Sequence, residues 1–195
     1  DYVNPRNREV QIEMEKACTQ HLEKVGALVD TNFYRQPDFD EQEFEYEASV
    51  VIPVFNREKT IADAVKSALS QKANFQYNVI VVNNHSTDRT GEILSEIARE
   101  METRNDKMAG RLIQIVPDRN DLGIGGCWNV AINSDHCGKF AVQLDSDDLY
   151  SSPKTLQKIV DAFHKQKAAM MIGSYRMCDF DLNTLPPGLI DHKEW

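Results

Sequence analysis

Apolar residues recur along this chain in two alternating periods. ASVVIPV (48–54) is a β-branched run that reads as a strand, and Ile61, Ala64, Val65, Ala68 and Leu69 then recur at helical spacing. The cycle repeats. YNVIVVN (77–83) is a second strand, followed by a helical stripe of Ile93, Leu94, Ile97, Ala98 and Met101. RLIQIV (111–116) is a third, with a helix through Trp128 and Ile132 after it. KFAVQL (139–144) is a fourth. Ser152 as N-cap and Pro153 in the first turn then open a helix that carries Leu156, Ile159, Val160 and Phe163 on one face. AAMMIGSY (168–175) reads as a fifth strand. Short apolar strands between amphipathic helices predict an α/β fold, a mostly parallel sheet covered by helices on both faces. Its crossovers should be right-handed.

Residues 1–47 follow another pattern. Val10, Met14, Cys18, Leu22, Val25, Leu28 and Val29 predict one amphipathic helix, and QPDFDEQEFEYE (36–47) reads as an acidic linker. This piece is expected to pack on the domain at 48–195 or to link it to a partner. A length of 195 residues suits one compact domain or slightly more, and 41% hydrophobic content is enough for a real core.

A net charge of −9 argues against a nucleic-acid binder, which would show a basic face. It leaves room for an anionic small ligand whose phosphates a cation neutralises locally. Cys18, Cys127, Cys137 and Cys178 form no Cys-x-x-Cys pair, so neither a zinc site nor a disulfide scaffold is indicated. Reduced, mostly buried thiols are expected, which suits a cytoplasmic protein or one on the cytoplasmic face of a membrane. No run approaches the ~20 apolar residues of a membrane span, and the polar start DYVNPRNREV does not resemble a signal peptide.

Ligands of open parallel sheets bind beyond the carboxyl ends of the strands, so the residues just after each strand carry the chemistry. These are Pro53-Val54-Phe55-Asn56-Arg57-Glu58, Asn83-Asn84-His85-Ser86-Thr87-Asp88, Asp118-Arg119-Asn120-Asp121-Leu122-Gly123 and Asp145-Ser146-Asp147-Asp148. Asp145 and Asp147 project to the same side if the backbone there is extended. Three carboxylates within four residues repel one another unless a cation or hydrogen-bond donors compensate. A hard divalent ion, Mg²⁺ or Mn²⁺, is the natural partner and would bridge to a diphosphate. The alternative reading is a solvated turn, with Asp147 or Asp148 helping to cap the helix near Ser152.

Asn83 or Asn84 could meet a base edge, because an amide both donates and accepts. Ser86, Thr87 and Asp88 are expected to cap the following helix. Gly123-Ile124-Gly125-Gly126 misses the G-x-G-x-x-G spacing and follows the third strand. Close chain approach or a tight turn explains its glycines better than a phosphate cradle. Of His21, His85, His136, His164 and His192, only His85 lies on the expected binding edge.

Together these four strand ends resemble glycosyltransferase family 2, with its Rossmann-like GT-A fold. SVVIPVFNRE (49–58) looks like the family's opening strand and loop. VIVVNNHSTDRT (79–90) resembles its V-V-D-D-G-S-x-D-x-T segment. Residues 121–129 resemble its N-x-G-x-x-x-x-x-N stretch, with Asn129 as the final Asn, and GKFAVQLDSDD (138–148) resembles the strand leading into its D-x-D motif.

The resemblance implies an inverting transferase that moves a sugar from a nucleoside-diphosphate sugar, with UDP as one such carrier, to a carbohydrate or other hydroxyl acceptor. Pro53, Val54, Phe55 and Asn56 would line the nucleoside pocket, and Asn83 or Asn84 would contact the base. Gly123 and Asn129 would join the donor site. Asp145 and Ser146 would lie near the ribose or sugar. Asp147, with Asp148, would bind the Mn²⁺ or Mg²⁺ that holds the diphosphate. A carboxylate base would activate the acceptor.

The sequence departs from the family at several points. Asn83 and Asn84 stand where Asp is usual, which removes charge and leaves the base open. Asp121 replaces the first Asn of the third motif, and Trp128 stands where Arg is frequent. The family's later Glu-Asp motif, which carries the base, has no counterpart up to Trp195. The chain is therefore expected to be the donor-binding part, cut before the acceptor-binding half. Two other classes stay open: a nucleotide-binding or assembly module without catalysis, and a nucleotidyltransferase. The latter would usually place a Gly-rich basic loop after the first strand.

Overall fold

The computed structural model describes residues 5–30, 32, 43–103 and 111–191. Residues 36–42 of the expected linker, and His192, lie outside them. The chain forms two compact units, 43–171 and the remainder, 1–42 with 172–195.

The larger unit carries the alternation that the sequence predicts. In order it holds β1 (Ala48–Val54), α2 (Ile61–Leu69), β2 (Tyr77–Asn83), α3 (Thr90–Thr103), β3 (Leu112–Ile115), α4 (Ile124–Ile132), β4 (Phe140–Gln143) and α5 (Thr155–Gln166); α1 (Arg8–Lys24) precedes it in the smaller unit. The strands run parallel in the order β3-β2-β1-β4. Every residue of β1 and β2 is buried, as strands covered on both faces must be.

Alternate residues of these strands serve the two faces. Val50, Ile52, Val54, Val79 and Val81 join Ile61 and Val65 of α2, Leu94 of α3 and Leu156 and Val160 of α5 in the main core. Val51, Ile80 and Val82 meet Cys127 and Ala131 of α4 on the other face. Burying each of the valine, leucine and isoleucine side chains is worth about 1.5–3 kcal/mol. A buried polar set completes that second face. The Ser49 hydroxyl donates to Asn78 Oδ1 and accepts from the Gly138 N–H, while Asn78 Nδ2 donates to the His136 carbonyl. This set fixes the chain as it enters β4.

Two sequence expectations are corrected. The helix after the fourth strand begins at Thr155 with Lys154 at its cap position, not at Ser152. The reason is tertiary: Gln71, just beyond α2, accepts the Leu156 N–H at 3.0 Å and donates to the Ser152 carbonyl. The Lys72 N–H also takes the Pro153 carbonyl at 2.6 Å. Ser152 and Pro153 therefore form a turn bound to the end of α2.

The expected fifth strand of the parallel sheet is absent among the described residues. Met170 and Ile172 are exposed, and pairing starts only at Tyr175. There β5 (Tyr175–Cys178) pairs antiparallel with β6 (Thr184–Ile190), in the smaller unit. The Asp179 carboxylate accepts from the Asp181 and Asn183 N–H groups and from Asn183 Nδ2. That turn zips a hairpin, which a local apolar count does not register.

In the smaller unit, α1 exists as predicted but ends at Lys24, with none of its residues buried; Val25, Leu28 and Val29 lie beyond it. No helix among the described residues is long and apolar enough to cross a membrane. All four cysteines are free, but only Cys127 is buried and Cys18 is exposed.

Candidate functional site

The sheet changes direction at β1. The chain runs outward to β2 and β3, then returns to lay β4 against the other side of β1. The crevice beyond the carboxyl ends of β1 and β4 is where such sheets hold ligands.

The loop after β1 is built around Asn56, whose φ of 52° is left-handed, a conformation Asn tolerates better than most residues. There its Oδ1 accepts the Thr87 N–H at 2.8 Å and its own N–H donates to Ser86 Oγ at 3.0 Å. The next two residues continue the seam, Arg57 N–H to Thr90 Oγ1 and Glu58 N–H to the Asp88 carboxylate. Ser86 and Thr87 therefore join two loops instead of capping a helix, as the sequence predicted for them. Asp88 does serve the helix start, accepting the Thr90 N–H at 3.0 Å. Burial works upward on the Asp88 carboxyl, but it is outweighed by bonds from Thr90 and the Glu58 backbone, which hold it below the ordinary carboxylate value.

Pro53 and Val54 are buried in β1. They support the site from beneath, and the Val54 carbonyl accepts the Asn84 N–H at 2.9 Å. Phe55 is 53% exposed at the rim.

The second loop also ties to the third. Asn83 Oδ1 accepts the Ser86 N–H, which uses Asn83 inside its own loop. Asn84 Nδ2 donates to the Leu122 carbonyl at 2.6 Å, while Asn84 Oδ1 is buried with no protein hydrogen-bond partner. His85, also left-handed with φ 58°, sets its Nε2 3.1 Å from the Arg119 carbonyl. Asp121 forms a two-pronged pair with Arg119, whose guanidinium holds the carboxyl low.

None of Gly123, Gly125 and Gly126 has a positive φ, so no tight turn explains them. Gly126 packs against Leu122, where a Cβ would come within 2.9 Å, whereas Gly123 and Gly125 face open space. Asn129 is exposed on α4.

The acidic end is a turn. The Asp148 N–H donates to the Asp145 carbonyl, so the extended geometry invoked for Asp145 and Asp147 does not hold. Ser146 is buried, Asp145 half-buried, and Asp147 and Asp148 exposed. The turn still crowds its charges: desolvation first, then the Asp145 and Asp147 carboxylates, push the Asp148 carboxyl up. Gln143 Nε2 steadies Asp145 at 3.0 Å. Asp147 Oδ2 lies 3.6 Å from Arg57 Nε, which links the β1 loop to the β4 turn. No local pattern marks that pair, because its members are ninety residues apart. Among the described residues, no group of three or more His, Cys, Asp or Glu side chains forms a metal cage.

The sequence model described as "Glycosyl transferase family 2" matches residues 49–192. An undecaprenyl-phosphate 4-deoxy-4-formamido-L-arabinose transferase of Edwardsiella ictaluri (strain 93-146) is 27% identical over 117 residues, which is 58% of this chain and 33% of that protein. The Escherichia coli enzyme WfgD, a UDP-Glc:alpha-D-GlcNAc-diphosphoundecaprenol beta-1,3-glucosyltransferase, is 27% identical over 134 residues, 68% of this chain and 47% of that protein. Among solved structures, S. aureus TarS is similar over 62% of this chain and 20% of its own, with 28% identity and a TM-score of 0.49. The chain thus spans less than half the length of these relatives. With the family's model matching from the first strand of the parallel sheet to beyond β6, this chain belongs to glycosyl transferase family 2.

Proposed function

We propose that the carboxyl edge of the larger unit binds a nucleoside-diphosphate sugar, and that the whole protein transfers this sugar with inversion to a hydroxyl acceptor. The observation that carries the reading is the meeting, across the β1/β4 crevice, of a loop fixed by Asn56 with a crowded acidic turn. The nucleoside would lie along Phe55 and Asn56. The base would meet Asn84, which is half-buried just beyond β2. Asn83 shapes that loop. Gly123 leaves open space for the ligand, and Asn129 would face it from α4.

The donor set fits a divalent cation. Mg²⁺ and similar ions are commonly held by one or two carboxylates plus substrate phosphates and water, without an all-protein cage. Asp147, with Asp148, would hold it, and relief of the crowding among three carboxylates favours occupancy. Bound there, such an ion supplies Lewis-acid stabilisation of the departing diphosphate. Asp145, steadied by Gln143, and buried Ser146 would orient the ribose or sugar. In this reading residues 1–47 are an accessory segment and 48–195 the donor domain.

Calorimetric titration with nucleoside diphosphates, in Mn²⁺ and in EDTA, tests this. The parent chain should bind one of them in a Mn²⁺-dependent way, and Asp147→Asn should lose that dependence with an unchanged melting temperature. Equal binding by Asp147→Asn would remove the metal assignment.

A further inference from the structure

The strand-end loops carry three arginines, and their partners differ. Arg89 Nε donates to Glu92 at 2.8 Å, two residues into the helix that follows its own loop. Arg119 grips Asp121 in its own loop at 2.7 and 2.9 Å. Both are short, charge-assisted bonds between near neighbours in sequence. Arg57 alone of the three pairs with a carboxylate from a distant segment, and loosely: 3.6 Å from Asp147, with both side chains about half exposed.

Its backbone is anchored. The Arg57 N–H donates to Thr90 Oγ1 at 2.9 Å, and its carbonyl accepts the Thr60 and Ile61 N–H groups at the start of α2. Among the described residues the side chain is otherwise held only by a 3.4 Å contact from Nη1 to the Asn56 carbonyl. An anchored Cα with a lightly held guanidinium can change partners without moving the loop.

Asp147 is the carboxylate assigned above to the metal. A cation that takes Asp147 must displace Arg57, and Arg57 then stands beside the ion with no anion of its own. A diphosphate brought by the donor is the matching partner, since a guanidinium forks onto phosphate oxygens. We propose that Arg57 is an exchangeable counter-ion, resting on Asp147 in the empty site and turning to the donor's diphosphate when metal and nucleotide arrive. Metal and nucleotide should therefore bind cooperatively, because each supplies what the other's arrival leaves unpaired. The inference rests on the donor-site reading above.

The test uses this chain and two binding readouts. The first is Mn²⁺ alone, followed by electron paramagnetic resonance. The second is UDP and GDP at saturating Mn²⁺, followed by calorimetry. Arg57→Gln should bind Mn²⁺ alone about threefold more tightly, the scale of one exposed ion pair. It should bind the preferred nucleotide at saturating Mn²⁺ about tenfold more weakly, the scale of a lost charged phosphate contact. Arg57→Lys keeps the charge and should recover most of the nucleotide affinity, which also covers the case in which Arg57→Gln folds poorly.

The two failures are distinguishable. If the parent chain binds neither nucleotide even with Mn²⁺, the donor-site reading falls and takes this role with it. If the parent binds nucleotide and Arg57→Gln matches it in both readouts, only the role of Arg57 is overturned.

Discussion

Asn56 does three jobs with one side chain: it tolerates a left-handed backbone, accepts the Thr87 N–H and aligns the loop for the Ser86 bond. Asn56→Ala should cost about 1–2 kcal/mol, from the lost bond and the left-handed cost of a Cβ without a polar partner. Asn56→Gly should cost less, because glycine keeps the backbone unstrained. Chemical denaturation of both variants checks the order. Asp88 makes a pH prediction. Its folded carboxyl sits below its ordinary value of 3.8, so its contribution is present above that value and is lost as pH falls through the lowered one. Asp88→Asn should therefore flatten the acid limb of the stability–pH curve and leave its shape near neutrality unchanged. At this scale the sequence located the residues but not their partners. Ser86 and Thr87 look like helix caps in any local reading, and only the register of β1 against β2 turns them toward Asn56. Arg57 was legible as a loop residue, but its partner in a turn after β4 was not.

Among the elements, β1 and β2 were the most legible, because strands buried on both faces cannot alternate and appear as unbroken apolar runs. Ile80 is fully buried on the α4 face, and Ile80→Ala should cost about 2–5 kcal/mol. The entry to β4 is tighter still. A Cβ on Gly138 would come within 2.7 Å of the Tyr46 carbonyl and 2.9 Å of the Ala48 backbone. Backbone cannot yield as a side-chain tip does, so Gly138→Ala should lower the melting temperature and loosen the pairing of β4 with β1, which amide exchange at Ala141 and Val142 would report. Where the sequence misled, the winning interaction was tertiary. Gln71 captured the start of α5, and the Asp179 turn drew Tyr175 into a hairpin with β6. Neither depends on the local period of apolar residues, so neither could be read from it.

For the whole molecule, the charge balance sets the terms. A net charge of −9 with three carboxylates on one turn disfavours a bare anion there, which is why the proposed donor site pairs the diphosphate with a cation. The strand order β3-β2-β1-β4 gathers four polar loops on one edge. That order rests on long-range pairing, and the motif sequence hinted at it only through resemblance. The hairpin that starts at Tyr175 was not legible, since the expected fifth strand shares the composition of a buried one. The most direct measurement is a thermal-shift panel of UDP, GDP, ADP, CDP and dTDP, each with and without Mn²⁺. At ~100 times the dissociation constant, a ligand stabilises the folded state by ~2.7 kcal/mol. One nucleotide should raise the melting temperature with Mn²⁺ and do so much less in EDTA. A melting temperature unmoved by all five, with and without Mn²⁺, would contradict a donor site on this edge.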